Sequence, residues 1–328
     1  PTRRSSDLMA EGEVAEGETY DFQLAHSSPA DVPSDQASYK FLEVCNELSG
    51  GRMTGKVYEN SQLGSEREEF EAIQMGNIQL AMLSTGPIVN FAPEYYLCDF
   101  PFPFNGSRER AFEVLDGEAG TEIKNSVESV GAYNLGWWEN GFRNLTCNDE
   151  KRKPEDFKGM KIRTMENDIH MKIWTDLGAN PTPMAFGEVY TALQQKTIDA
   201  QENPNNTNYE TKYYEVCDST IQTKHIYTPY PVLMNEEFYQ SLSDDLKTKV
   251  EEAAQQAADF EIDLCVSQDD EYKAKLAEAG CNVVELTDEE RQMFIEKINE
   301  AGIKEMAMEK SGNPELSKEF FEAVDALQ

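Results

Sequence analysis

Two arginines and one asparagine are the residues of this chain with the clearest potential for binding chemistry. Arg143 lies in the string Gly-Phe-Arg-Asn, Arg163 ends the string Lys-Gly-Met-Lys-Ile-Arg, and Asn203 precedes a proline about forty residues later. A guanidinium group is a planar fork of N–H donors that fits both oxygens of a carboxylate. Two such groups beside a side-chain amide predict a pocket for a small organic acid.

Each arginine also has a purely structural interpretation. Arg143 follows a Gly-Phe turn and could tie a loop to an internal carboxylate. Arg163 lies inside an apolar strand, and a buried guanidinium needs a partner because an unpaired buried charge costs several kcal/mol. That partner is either an internal Asp or Glu or a bound anion, and the residues alone leave both interpretations open.

The elements that must position these residues follow an α/β order. Hydrophobic periodicity predicts strands over residues 20–26, 53–59 and 78–84, with helices over residues 36–48 and 66–75 between them. The β-α-β-α-β order predicts a parallel sheet with helices on both faces. A second α/β pattern follows, and 328 residues exceed one ordinary core, so two lobes are expected.

The C-terminal part of the sequence is predominantly helical. After a predicted strand over residues 227–234, which should return to the first lobe, residues 244–279 contain no Pro or Gly. A helix of that length far exceeds the mean of about 12 residues. It must therefore be kinked or run across both lobes. A helical tail over residues 288–326 is predicted to break near Gly302 and Gly312.

The charge balance restricts the partners of this protein. The chain carries 62 acidic and 29 basic residues, a net charge of −33. Nucleic acid is excluded as a natural partner, because affinity for phosphates requires concentrated positive charge. The average field repels anions, but it is screened over roughly 8 Å at physiological salt, whereas an arginine acts at bonding distance. A local anion clamp is therefore compatible with the acidic composition.

Residues with catalytic or metal-binding potential are scarce. His26 ends the first predicted strand, where α/β sheets place ligands, so it either contacts the ligand or packs the loop. We predict His170 at the surface and His225 in a structural position. The six cysteines form no C-x-x-C pair, so they are either disulfide-bonded or buried small hydrophobes. We expect no catalytic residue, no metal and no cofactor.

Two features of the sequence bear on localisation: its apolar runs and its first 19 residues. No run of about 18 apolar residues predicts a membrane span. Residues 2–8 resemble a translated sequencing adapter, and residues 9–19 are rich in Glu, Gly and Ala. We therefore interpret residues 1–19 as a scar and flexible tether, and expect that the native export signal is absent from this sequence.

Several long strings resemble one known family. They include Asn-Ser-Gln-Leu-Gly-Ser-Glu-Arg-Glu at residues 60–68, Asp-Phe-Pro-Phe at residues 99–102 and the segment over residues 180–195 that begins Asn-Pro-Thr-Pro-Met-Ala-Phe-Gly. The two arginine strings and Gln-Glu-Asn-Pro complete the pattern. From about residue 20 to residue 321 the chain resembles the DctP-like solute-binding proteins of tripartite ATP-independent periplasmic (TRAP) transporters, closest to the binders of uronates and other sugar acids.

The resemblance implies a two-lobed α/β fold like that of type II periplasmic binding proteins. Each lobe would be a mixed sheet flanked by helices, with a long helix spanning both. We expect lobe I to comprise residues 20–140 and 228–270, and lobe II residues 141–227 and 271–328. The hinge strands would lie near residues 140 and 228.

The resemblance also implies roles for particular residues. Arg163 matches the arginine that forms a salt bridge with the ligand carboxylate, and Arg143 matches a second ligand arginine. Asn203 matches the supporting amide, Glu66 an acid that binds ligand hydroxyls, and Phe186 an aromatic pocket wall. The remaining expected contacts are Glu166, His26 and Asn144.

The implied function is capture of a small organic anion outside the cytoplasm. We expect a monomer that binds a hexuronate such as galacturonate or glucuronate through the arginines, closes its lobes and delivers the ligand to TRAP membrane subunits. It would be periplasmic, or extracellular and membrane-anchored, and not an enzyme. The alternatives are a C4-dicarboxylate or other organic acid as ligand, or a sensor component that presents the ligand to a receptor.

Overall fold

The structure is a computed structural model that describes residues 17–104 and 106–327. The predicted scar and tether lie outside these residues, apart from residues 17–19. The strands are β1 (Tyr20–His26), β2 (Met53–Tyr58), β3 (Leu80–Met82), β4 (Ala132–Phe142), β5 (Asn144–Cys147), β6 (Lys161–Thr164), β7 (Asn180–Pro183), β8 (Ala200–Asn203), β9 (Ser219–Gln222), β10 (Tyr227–Asn235) and β11 (Asn282–Glu285).

Helices separate most of these strands. The α-helices are α1 (Pro33–Ser49), α2 (Glu66–Gln74), α3 (Thr85–Ile88), α4 (Arg108–Leu115), α5 (Glu118–Ser126), α6 (Asp168–Asp176), α7 (Val189–Gln194), α8 (Asn205–Glu210), α9 (Glu236–Ser241), α10 (Asp244–Glu278), α11 (Asp288–Glu300), α12 (Ile303–Ser311) and α13 (Pro314–Ala326). Short 3-10 helices cover Pro93–Leu97, Val127–Val130, Pro154–Phe157, Phe186–Glu188 and Tyr213–Glu215.

Two sheets define the two lobes. The sheet of lobe I has the order β2-β1-β3-β10-β4, and that of lobe II has the order β11-β9-β5-β8-β6-β7. In lobe I, β1 pairs in parallel with both β2 and β3, as the β-α-β-α-β order predicts. Strand β10 returns antiparallel between β3 and β4. The predicted two-lobed α/β class, with mixed sheets, is confirmed.

The first helices begin and end where their sequences carry the appropriate signals. Helix α1 has a proline in its first turn and ends at Gly50, whose φ of 64° suits a residue without a Cβ. Helix α2 starts with a capping box in which Ser65 and Glu68 bind each other's backbone N–H groups. This cap fixes the first turn of α2, which carries Glu66 at its first position.

Two parts of the chain differ in detail from the periodicity. Residues 107–130 have a helical pattern throughout but form two separate α-helices, because α4 ends at Leu115 and Gly117 takes an extended conformation before α5 begins. Strands β5, β9 and β11 have four residues each, which is too short for an alternating pattern to be recognised.

The long helix α10 spans both lobes, as one of the two sequence interpretations predicts. It runs for 35 residues, and its alanine stripe packs against α1 and β4, where the Trp138 indole N–H donates to the carbonyl of Ala254 at 3.2 Å. Further along, α10 contacts α8 and β11 of lobe II. Among the described helices, none is long and apolar enough to cross a membrane.

The C-terminal residues divide between the lobes. Strand β11 joins the sheet of lobe II beside β9. Helices α12 and α13 instead pack mainly on α4, α5 and the 3-10 helix Pro93–Leu97, which follow the lobe I strands. The cause is the apolar face of α13, in which Phe321 meets Phe100 with ring centroids 5.0 Å apart.

The six cysteines lead to the first prediction. All are buried free thiols, and burial raises the pKa of each, to about 12 for Cys147 and about 11 for Cys281. We expect the native protein to be inert to a thiol reagent at neutral pH, and the protein unfolded without reductant to react at all six positions. A titre of four or fewer after unfolding would indicate disulfides and contradict the prediction.

Candidate functional site

A cavity lies between the lobes. It is formed largely by the carboxyl ends of strands from both sheets and the loops that follow them. Its lining is polar and rich in hydroxyl groups. The lining residues are Ser27, Ser28, Pro29, Glu66, Ser84, Arg143, Arg163, Met165, Phe186, Asn203, Thr207 and Tyr230.

Arg163 is a buried cation in the cavity wall. It lies near the end of β6 and is only 2 % exposed. Its Nε–H donates to the backbone carbonyl of Met184 at 2.9 Å. No carboxylate of residues 17–104 or 106–327 comes within ion-pair distance of it. Burial lowers the pKa of Arg163 from its ordinary value, and the nearby positive charge of Arg143 acts in the same direction.

Arg143 is buried in the same wall but has an internal partner. It follows β4, and its guanidinium group binds both carboxylate oxygens and the carbonyl oxygen of Glu202 on β8. The antiparallel pairing of β5 with β8 places Leu145 opposite Glu202, which brings the two charges together. Burial alone would lower the pKa of Arg143, but Glu202 outweighs burial and raises it. Its charge is therefore compensated within the protein.

Glu202 also faces two histidines. His225 Nε2 lies 3.2 Å from one of its oxygens and His170 Nδ1 lies 3.9 Å from the other. Burial would raise the pKa of Glu202, but Arg143 and the two histidines hold it well below its usual range. His225 is buried, in agreement with a structural position. The prediction that His170 lies at the surface is wrong, because α6 turns this residue inward, where it is 0 % exposed.

Glu66 supplies a carboxylate to the lobe I side of the cavity. Its position at the start of α2 places it near the positive end of the helix dipole. One carboxylate oxygen accepts the backbone N–H of Ser84 at 2.8 Å and the Ser84 hydroxyl at 2.7 Å. These bonds fix the orientation of Glu66 and leave its other oxygen without a partner among these groups.

Asn203 and Phe186 also line the cavity, on the lobe II side. The Asn203 amide donates to the side-chain oxygen of Gln201 at 2.7 Å, and its backbone carbonyl accepts from Asn208 at 2.8 Å. Phe186 begins a 3-10 helix and faces the cavity beside Met165. The cavity thus has a small apolar wall and a mostly polar remainder.

Three residues expected at the site lie outside the cavity lining. His26 is buried with its Nε2 3.3 Å from Asp35. Glu166 pairs with Arg67 at 3.4 Å across the lobes, on a partly exposed surface. Asn144 accepts the backbone N–H of Lys224 at 3.1 Å. This bond joins the two segments, near residues 143 and 225, in which the chain passes from one lobe to the other.

The sequence interpretation missed the hydroxyl groups and Glu202. Five lining residues carry hydroxyls, and Tyr230 Oη lies 3.5 Å from Ser28 Oγ. Serine and threonine in loops carry no sequence signal that separates a ligand contact from ordinary solvation. Glu202 had a signal, because a carboxylate in the middle of a buried strand must be paired. Because Asn203 was expected at the same site as Arg143, its neighbour Glu202 was the obvious acidic partner for that arginine.

The Arg143–Glu202 pair gives the second prediction. Removing one partner leaves a buried charge uncompensated, so Glu202→Leu and Arg143→Met should each lower the free energy of unfolding by about 3–5 kcal/mol. Replacing both with Arg143→Met and Glu202→Leu should restore much of that loss. Urea unfolding of the three variants measures this coupling, and additive losses in the double variant would contradict a direct pair.

Comparisons with known proteins agree with this architecture. Residues 24–309 match the family model DctP, described as bacterial extracellular solute-binding protein, family 7. The chain is 33 % identical over 259 residues to the 2,3-diketo-L-gulonate-binding periplasmic protein YiaO of Escherichia coli, covering 79 % of this chain and 78 % of that protein. It is 31 % identical to the C4-dicarboxylate-binding periplasmic protein DctP of Rhodobacter capsulatus over 279 residues, covering 84 % and 83 % of the two chains.

A solved structure is similar over nearly the whole molecule. The sugar acid binding protein DctPAm of Advenella mimigardefordensis, in complex with galactonate, matches with a TM-score of 0.91 and 32 % identity, covering 95 % of this chain and 100 % of that chain. Proteins of this kind act outside the cytoplasm, bind small organic acids and work with TRAP membrane components. The chain belongs to the DctP family of extracellular solute-binding proteins, whose members bind solutes for TRAP transporters and are not enzymes.

Proposed function

We propose that this protein binds a sugar acid with one carboxylate and several hydroxyl groups, such as a hexuronate or the corresponding aldonate, and presents it to TRAP membrane subunits. The observation that carries the proposal is Arg163, a buried guanidinium that faces the cavity without an internal acidic partner among the described residues. A bound carboxylate would compensate that charge. The similar DctPAm structure, with its bound galactonate, supports this ligand class.

The contrast between the two arginines indicates one carboxylate rather than two. Glu202 already compensates Arg143, so Arg163 is the cation of the cavity lining that remains for a ligand. Arg143 still lines the cavity and would contribute N–H donors without an uncompensated charge. A bound sugar acid would thus form one ion pair, at Arg163, with Arg143 and Asn203 in support.

The hydroxyl-rich lining fits the rest of a sugar acid. Hydroxyl groups of Ser27, Ser28, Ser84, Thr207 and Tyr230 can each donate and accept hydrogen bonds. The free oxygen of Glu66 accepts only, when ionised, and so suits a ligand hydroxyl. Each such bond contributes about 1 kcal/mol net, and more when one partner is charged. Several of these hydroxyls already bond within the protein, as Ser84 does to Glu66 and Ser28 to Tyr230, and their oxygens can accept further hydrogen bonds. A polyol can supply those donors, whereas a ligand without hydroxyls cannot.

A C4-dicarboxylate is the second candidate, because the similar R. capsulatus protein is named as a binder of such acids. Two features of the cavity disfavour it. A second carboxylate would find no uncompensated cation among the lining residues, and it would approach the Glu66 carboxylate on the lobe I side. Like charges that are desolvated together repel strongly.

Capture requires both lobes, because Arg163 and Asn203 belong to lobe II whereas Ser28 and Glu66 belong to lobe I. A ligand that contacts both sets binds the closed arrangement better than the open one, and only this difference in affinity drives closure. We propose that the protein acts as a monomer that delivers its ligand to the membrane subunits. The same closed form could serve a ligand-presenting sensor component, which deletion of the transporter genes would distinguish.

The third prediction concerns ligand class. Galactonate, galacturonate and glucuronate should raise the melting temperature of the protein, and isothermal titration should show tighter binding of at least one of them than of succinate. The reason is the combination of one free cation with many hydroxyl groups. A response to succinate with none to the sugar acids would overturn the proposal.

A matched variant tests the reason for that discrimination. Glu66→Gln keeps the size of the side chain and removes its charge, so it should narrow the difference in affinity between the sugar acid and succinate. An unchanged ratio would show that Glu66 does not exclude the second carboxylate.

The fourth prediction concerns the carboxylate anchor. Arg163→Ala should cost about 2–5 kcal/mol of binding free energy, as truncation of one side of a buried charge pair does. Arg163→Lys should also weaken binding, because an ammonium group cannot reproduce the planar fork. Arg152→Ala is the matched control, since Arg152 is a half-exposed arginine outside the cavity. Wild-type affinity in Arg163→Ala would make Arg163 a structural residue.

A further inference from the structure

We propose that His170 is a positioning residue that links the binding network of lobe II to lobe I and makes the affinity for carboxylate ligands fall as the pH rises. This inference rests on the proposed function, since it concerns the electrostatics of the same cavity. His170 is not a cavity-lining residue, and it would act through Glu202 and Asp99.

The imidazole of His170 bridges two buried carboxylates from different parts of the molecule. Its Nε2 lies 3.3 Å from Asp99, in the loop that follows the 3-10 helix Pro93–Leu97, and its Nδ1 lies 3.9 Å from Glu202 on β8. Asp99 also accepts from the Thr85 hydroxyl at 2.8 Å and from the Asn167 amide at 2.8 Å. Thr85 belongs to lobe I and Asn167 to lobe II, so Asp99 lies at a junction of the lobes.

Only the protonated ring carries a charge that attracts both carboxylates. An imidazolium donates from both nitrogens, whereas a neutral imidazole donates from one and turns a lone pair toward the other partner. Burial by itself opposes the charge on His170, but the interactions with the carboxylates of Asp99 and Glu202 outweigh burial and raise its pKa. The other nearby imidazole behaves differently, since burial lowers the pKa of His225.

The charged groups around His170 determine the sign of the pH effect. Asp99 and Glu202 face it directly, whereas His225 and Arg143 are the further titratable and charged groups that contact Glu202. Arg143 and Glu202 compensate each other, so the imidazolium compensates Asp99. Loss of its proton leaves a net negative charge behind the cavity, which opposes a carboxylate bound at Arg163. Because the pKa of His170 is raised above 6.5, this loss occurs on the alkaline side of that value.

Two neutral variants separate this role from simple packing. The amide of His170→Gln can reach the position of Nε2 beside Asp99, and that of His170→Asn the position of Nδ1 beside Glu202, but neither titrates. Isothermal titration with galactonate from about pH 6 to about pH 9 should show wild-type affinity falling on the order of tenfold, as expected for one charge acting through the protein interior. Both variants should bind more weakly than wild type at the acidic end and show a flat profile.

A measurement without ligand makes the test independent of ligand identity. The chain contains three histidines, so three imidazole Cε1–H signals are expected in proton NMR, and His170→Gln assigns one of them. We expect that signal to titrate above pH 6.5 in the wild-type protein. A signal that stays neutral throughout the range, or equal pH slopes of affinity in wild type and both variants, would overturn the inference.

The outcomes distinguish this inference from the proposed function. If galactonate fails to bind at every pH while succinate binds, the sugar-acid proposal fails, and the affinity profile is then measured with succinate. If galactonate binds with the same pH profile in all three proteins, the sugar-acid proposal survives and the role of His170 fails.

Discussion

A positive charge buried without an internal negative partner is the constraint on which this binding site depends. Two arginines line one cavity, and they differ in whether an internal carboxylate compensates their charge. Arg143 is compensated by Glu202, which in turn contacts two histidines, so this part of the wall is electrostatically complete without a ligand. Among the described residues, Arg163 bonds only to a backbone carbonyl, and its burial is therefore unfavourable until an anion arrives. The affinity for a carboxylate is, in this sense, built into the folded state.

The two-lobed fold explains why such a charge can exist. Strands β1 and β3 of lobe I lead into Ser28 and Ser84, and strands β6 and β8 of lobe II end at or next to Arg163 and Asn203, so the cavity lies where the carboxyl ends of strands from both sheets meet. The chain crosses between the sheets around Arg143 and Ile226, where the Arg143 N–H donates to the Ile226 carbonyl at 2.8 Å. Compensated charges thus lie at the crossing, where the backbone is fixed. The uncompensated cation, Arg163, lies near the end of β6 in a cavity lined by residues of both lobes.

Much of the fold and part of the site follow from sequence patterns, for reasons that particular residues illustrate. Helix α10 is predictable because 35 residues without Pro or Gly leave few alternatives, and β1 because its apolar and polar residues alternate. Arg163 is recognisable as a buried charge because the apolar residues Met160, Ile162 and Met165 surround it in the sequence. The sequence leaves the partner of Arg143 open and wrongly suggests a surface position for His170, because both depend on contacts between residues far apart in the chain. Periodicity reports which face of an element is apolar, but not which polar group lies across the interface.

A net charge of −33 is compatible with an anionic ligand, because the repulsion acts over long distances and the attraction over short ones. The many exposed carboxylates act through water and salt, and their field decays over roughly 8 Å. Groups around the cavity act at a few ångströms in a medium that screens poorly. On the proposed function, the local balance among Arg163, Glu66 and the Asp99–His170–Glu202 cluster decides how strongly each acid binds, whereas the surface charge affects mainly how often an anion reaches the cleft. It follows that added salt should speed the arrival of the ligand far more than it weakens the bound complex, so that selectivity and rate of capture are governed by different sets of residues.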